Sequence, residues 1–139
     1  MTKLPATVVG ARLADFADTP VVNSIGNTPL VRLRRFERYL GLPESIEIHL
    51  KMEWVNPGGS IKDRTALSII RSALAAGDLT PGRTLIDATS GNTGIAYAML
   101  GAALDIPVTL VVPESASDER KRTLAAYGAN VVYLSLIHI

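Results

Sequence analysis

The chain contains no cysteine. That excludes disulfide bridges, thiolate metal sites and a cysteine-ligated haem, and makes a reducing, cytoplasmic compartment its natural setting. No sign of charge dominates either: 14 Lys and Arg stand against 13 Asp and Glu, a formal net charge of +1. This balance gives no electrostatic reason to expect nucleic acid or an anionic membrane surface as a partner. Long hydrophobic runs are also missing. The opening MTKLPATVVGARLADF holds no apolar stretch of signal-peptide length, and no later stretch is an uninterrupted spanning segment. What is present is globular composition, 47% hydrophobic over 139 residues, enough for one core and at most one ordinary domain. A soluble protein follows.

Apolar spacing divides the chain into alternating strands and helices. PVVNSIGNTPLVRL reads as two short β-like runs around the turn residues Asn23 to Pro29, and SIEIHLKME (45–53) alternates with period two, as a half-buried strand does. After NPGG, the apolar residues Ala66, Ile69, Ile70, Ala73 and Leu74 form one face of a helix, with Gly77 placed as a left-handed cap. RTLIDAT, IPVTLVVP and NVVYL read as strands, IPVTLVVP being apolar enough to be buried on both faces of a parallel sheet. Between them lie two helices. One follows SGNTG and is apolar nearly all round from Thr93 to Leu104; the other is capped by Ser117, with Asp118 and Glu119 in its first turn. The order implies an α/β fold, a parallel, three-layer sheet with flanking helices.

Two turns carry the candidate chemistry, NPGGSIKD and TSGNTG, each leading into a helix. The C-terminal edge of a parallel sheet is where ligands bind, because helix N-termini present unpaired N–H groups and a dipole that favours anions. In TSGNTG, Gly91 and Gly94 allow close backbone approach, while Thr89, Ser90, Asn92 and Thr93 add donors suited to a carboxylate or phosphate. Ordinary N-capping explains the same residues when the loop is taken alone. Neither turn matches a P-loop or G-x-G-x-x-G. Lys62 falls in the first turn of its helix behind Ser60 as N-cap, with Asp63 as an acidic capping-box partner. The helix dipole repels a cation there, and a neutral amine is what attacks an aldehyde. The plain alternative is a solvated surface lysine. His49, Trp54 and the run Arg120–Lys121–Arg122 read respectively as a strand histidine, a packing residue and a solvated helix face.

Taken together, IGNTPLVRL, KMEWVNPGGSIKDRTALSII, TSGNTGIAYA and VVPESASDERKRTLAAYGANVV resemble the cysteine synthase and cystathionine β-synthase family. These are pyridoxal 5'-phosphate enzymes of the tryptophan-synthase-β fold (fold type II). The resemblance covers about 23–134 and implies a two-domain enzyme of which this is the N-terminal part. It implies that Lys62 holds pyridoxal phosphate as a Schiff base and then removes the substrate α-proton. It further implies that Asn92 hydrogen-bonds the cofactor ring oxygen, and that Thr89, Ser90, Asn92 and Thr93 grip the substrate carboxylate. The implied reaction is β-elimination from an activated serine to an aminoacrylate, followed by addition from a sulfur donor, in a homodimer. Cystathionine β-synthase, or a serine or threonine dehydratase of the same fold, is the enzyme alternative, although NPGGSIKDR lacks the Phe usual before the dehydratase lysine. A non-catalytic interaction fragment is the alternative of another class.

The resemblance also orders the chain into an arm over residues 1–44 that packs on a second domain, and a small α/β domain over 45–133 carrying Lys62. The glycine-rich phosphate cradle of the family, and its residue facing the pyridine nitrogen, have no counterpart in this sequence. The 139 residues are therefore expected not to turn over alone. The ending LSLIHI (134–139) departs from the family and can be encoded by CTGTCTCTTATACACATC, which resembles a transposon-end sequencing adapter. A non-native tail is the expectation.

Overall fold

The computed structural model describes residues 18–89 and 91–135. The β-run expected at PVVN is instead a short helix, α1 (Pro20–Asn23). Proline in the first turn presets a helical φ, and the Thr19 and Pro20 carbonyls accept from the N–H groups of Asn23 and Ser24. Strand β1 (Leu30–Arg32) follows, then helix α2 (Arg34–Tyr39) and strand β2 (His49–Lys51). β1 and β2 pair antiparallel, with Val31 opposite Leu50. The strand expected over 45–53 is thus only three residues long, and all three are exposed. The ladder stops near Ile48, whose carbonyl still accepts from Leu33 N–H but whose own N–H donates to the Glu37 carboxylate at 2.7 Å.

After a 3₁₀ turn at Glu53–Val55 comes helix α3 (Lys62–Ala76), which Gly77 ends at φ 77° in the left-handed region open to glycine. Ala66 and Ile70 of α3 are buried, but Ile69, expected on the same face, is exposed. Strands β3 (Leu85–Ala88), β4 (Val108–Pro113) and β5 (Asn130–Leu134) form a parallel sheet in the order β3-β4-β5. Helices α4 (Asn92–Leu104) and α5 (Asp118–Ala126) make the crossovers. The expected cap is present on α5, where Ser117 Oγ accepts from the Arg120 N–H.

Helix α4 is the hub of the core. It touches α3, β4, α5 and α1, and Ala96, Tyr97, Ala98, Met99, Leu100 and Leu104 are buried. An all-round apolar sequence is what such a position requires. The sheet is covered less fully than IPVTLVVP suggested. Val108, Leu110 and Val112 are buried, while their neighbours Thr109, Val111 and Pro113 are only half-buried. On that second face Ile86 is 68% exposed, with Val132 and Leu134 also exposed. Leu134 closes β5, its carbonyl accepting from Glu114 N–H; the last four residues of the expected tail, 136–139, and the first 17 of the expected arm lie outside the described residues. No helix among the described residues is long and apolar enough to cross a membrane.

Close packing of α4 on the sheet depends on Gly101, where a Cβ would collide with the Val108 side chain and stand 2.8 Å from the Ile106 carbonyl. Overpacking of this kind costs about 1–3 kcal/mol. Gly101→Ala is therefore expected to lower the urea-unfolding free energy by that amount, seen as a lower midpoint, and to cost less when introduced into Val108→Ala than into the wild type. An unchanged midpoint in Gly101→Ala would contradict this contact.

Candidate active site

The directions of α3 and α4 decide whether the two sequence-predicted turns meet. Leu74, in the last turn of α3, lines a small cavity together with Asp105, Ile106 and Pro107, which follow α4. The C-terminal ends of both helices therefore lie at one edge of the sheet, where β3 and β4 begin. Their N-termini lie toward the opposite edge, where β3 ends at Ala88 and runs into α4. Lys62 and Asn92 are the first residues of these two helices. One sheet edge thus carries both turns.

Lys62 is exposed at the start of α3, so burial contributes nothing to its environment. Lys51 Nζ donates to the Thr28 carbonyl at 2.6 Å, and Lys121 Nζ to the Glu114 carbonyl at 2.8 Å. Lys62 is the described lysine whose amine makes no hydrogen bond or ion pair among the described residues. Ser60 is not its N-cap; Ile61 holds that position in helical conformation, and Ser60 Oγ accepts from the Lys62 N–H at 3.2 Å. Asp63 makes no capping box. Its Oδ2 accepts from Gly58 N–H, because the Pro57–Gly58–Gly59 turn folds back over the helix end. A side chain at Gly58 would stand 2.8 Å from that oxygen, which explains the glycine. Asp63 is fully buried and its Oδ1 has no partner among the described residues; burial pushes this carboxyl above its usual range, partly offset by Gly58 N–H, with Glu53 adding to the rise.

In the second turn, Thr89 is half-buried at the end of β3, its N–H donating to Val111 O, and its Oγ1 accepts from Gly91 N–H at 3.4 Å. Gly91 is extended, and among the described residues other than its chain neighbours nothing lies within 4 Å of where its side chain would project, which leaves this side of Gly91 open. Gly94 has a different role from the one expected. A Cβ there would stand 2.9 Å from the Thr89 methyl and 3.4 Å from Leu110, so this glycine serves packing inside the fold. Asn92 is exposed and Thr93 half-buried in the first turn of α4; Ser90 lies outside the described residues. Trp54, expected to pack, is 54% exposed, and His49 faces Glu47 at 3.5 Å. Lys121, with its carbonyl partner and the Tyr133 ring 5.4 Å away, is more anchored than a plain solvated face implies.

Sequence reading missed a polar cluster behind the lysine turn. Glu53 accepts from Arg64 Nε at 2.9 Å, Arg64 Nη2 at 3.0 Å, Thr28 Oγ1 at 2.8 Å and Asn56 Nδ2 at 2.9 Å. Asn56, also buried, receives the Gly26 N–H at 2.9 Å. All five residues stand in the quoted motifs, but only the opposite charges of Glu53 and Arg64 hinted at a pair. A primary amine free of competing partners, beside an open helix N-terminus, fits a group with a reactive aldehyde whose substrate is a carboxylate.

The profile of the family described as pyridoxal-phosphate dependent enzyme matches residues 21–136. The chain belongs to that family. It is 50% identical over 111 residues to a cysteine synthase of Aquifex aeolicus, covering 80% of this chain and 34% of that protein. It is 41% identical over 115 residues to the O-acetylserine dependent cystathionine beta-synthase of Bacillus subtilis, covering 83% and 36%. The crystal structure of a cysteine synthase from Entamoeba histolytica superposes with a TM-score of 0.80 at 31% identity, over 97% of this chain and 38% of that one. The chain thus spans about a third of the length of the curated relatives it matches.

The cluster has a pH signature. The Arg64 hydrogen bonds, then those from Thr28 and Asn56, lower the Glu53 carboxyl from 4.5 to about 2. Its stabilising contribution is complete above 4.5 and is lost as pH falls toward 2. Asp63 has the opposite sign, because its cost is shed when it is protonated at low pH. Urea unfolding between pH 6 and 2 is expected to show Glu53→Gln well below wild type near neutrality, with the two converging as pH falls. A gap that stays constant would contradict the assignment.

Proposed function

We propose that Lys62 is the residue that holds pyridoxal phosphate in a cysteine synthase-type β-replacement on an activated serine. The observation that carries this is the free Lys62 amine at one helix N-terminus, on the same sheet edge as the open N-terminus of a second helix. When bound, the cofactor supplies the electron sink that makes the substrate α-carbon acidic. Lys62 Nζ takes the α-proton and returns it. Thr89, Ser90, Asn92 and Thr93 hold the substrate carboxylate at the positive end of α4, and the Asn92 amide orients the cofactor ring. The activated oxygen substituent leaves the β-carbon with its bonding electron pair, as acetate from an O-acetyl ester, and the sulfur donor adds at that carbon in its place, losing its proton.

Turnover is assigned to a protein of the relatives' length, working as a homodimer in a reducing cytoplasm; the 139 residues supply the lysine and the carboxylate loop. A second reading, in which an amino-acid thiol is the sulfur donor, is supported by the likeness to the Bacillus subtilis protein.

Incubation with pyridoxal phosphate, borohydride reduction and mass mapping is expected to put the label mainly on Lys62 and not on Lys3, Lys51 or Lys121. Lys62→Ala should abolish that preference, and the chain alone should form no cysteine from O-acetylserine and sulfide. Even labelling of all four lysines would overturn the cofactor assignment, and cysteine formation would overturn the assignment of turnover to the longer protein.

A further inference from the structure

We infer that Arg64 is a positioning residue for Lys62, acting through Glu53, Thr28 and Asn56 rather than through any contact with cofactor or substrate; this rests on the reading of Lys62 given above. The two residues after Lys62 each tie the first turn of α3 to a different segment. Asp63 takes the Gly58 N–H and closes the Pro-Gly-Gly turn. Arg64 places both ends of its planar fork on Glu53 and reaches Thr28 Oγ1 at 3.4 Å. Its guanidinium also lies against Gly26, where a side chain would meet Nη1 at 3.0 Å.

Three segments distant in sequence meet at this point: the Gly26–Pro29 turn, the Glu53–Asn56 turn and the start of α3. Lys51 adds a fourth tie through the Thr28 carbonyl. Successive helical residues are rotated by about 100°, so Arg64 leaves the helix on the side opposite Lys62. The turn is therefore fastened from behind while the amine in front stays free. Without such fastening a first helical turn frays, since terminal turns open at almost no free-energy cost. Displacement of a catalytic group by about 1 Å is enough to cost 10²-fold in rate.

The shape of the pair, and not charge alone, is what the inference requires. Lysine at position 64 would keep the positive charge and lose the two-point fork. The test uses the whole chain, with circular dichroism to establish that each variant is folded. Hydrogen exchange is read at the Gly59 and Lys62 amides, and the share of borohydride-fixed pyridoxal phosphate is read at Lys62. Arg64→Gln and Arg64→Lys are both expected to speed exchange at these amides at least tenfold, to leave the α4 amides unchanged and to lower the Lys62 share severalfold. Thr28→Val, which removes one uncharged donor, should move both readouts in the same direction by less and serves if the Arg64 variants do not fold.

Unchanged exchange at Gly59 and Lys62 would overturn the inference. So would faster exchange with an undiminished Lys62 share, or full recovery by lysine. If wild type itself shows no preference for Lys62, the proposed function fails, and the exchange data alone then decide whether the clamp fixes the turn.

Discussion

A single carboxylate, that of Glu53, organises the candidate site. It accepts hydrogen bonds from Arg64, Thr28 and Asn56, drawn from three separate segments. Half-buried carboxylates are costly unless their lone pairs are filled, and this one is filled by the Arg64, Thr28 and Asn56 donors. The bidentate arginine fork matters most, because it fixes an angle as well as a distance. Remove the carboxylate, and Arg64, Thr28 and Asn56 each lose a partner at the same junction. The lysine turn is tied at this junction through Arg64 and at a second point through Asp63, which accepts from Gly58 N–H, while the Ser60 hydroxyl accepts from the Lys62 N–H.

The remainder of the site follows from the placement of α4. Because α4 packs against both α3 and β4, it joins the lysine helix to the sheet, and the glycines along it set how closely it approaches the sheet. Gly101 admits Val108, and Gly94 admits the Thr89 methyl at the very turn that opens the helix. The loop is thereby fixed by packing on its inner side and open at Gly91 on its outer side. That division suits a binding loop, whose backbone N–H groups must point outward without moving. The apolar second face of the sheet, with Ile86, Val132 and Leu134 exposed, plays no part in this arrangement.

Much of the fold was legible because period and punctuation agreed. The β3–α4–β4–α5–β5 series, the Gly77 cap, the Ser117 cap and the burial of α4 all follow from local signals that the tertiary structure did not override. The failures have local causes as well. PVVN has β-forming residues, yet proline in the first turn and two accepting carbonyls make it helical. SIEIHLKME alternates well but pairs over only three residues, and beyond them the Ile48 N–H donates to the Glu37 carboxylate. In the site, Lys62 and the helix N-termini were readable as residue types next to turns. The Glu53 cluster was not, because side chains 25 and 11 residues apart share no periodicity. Asp63 looked like a helix cap and proved to be a buried carboxyl holding Gly58.

The central claim is that two helix N-termini, one bearing Lys62 and one bearing the Thr89–Gly94 loop, form one site. Titration of isotope-labelled protein with pyridoxal phosphate, followed by backbone amide resonances, tests it most directly. The amides of Lys62 and of Gly91 to Gly94 are predicted to shift together, with one common midpoint. Shifts confined to one of the two turns, or separate midpoints for each, would contradict the account.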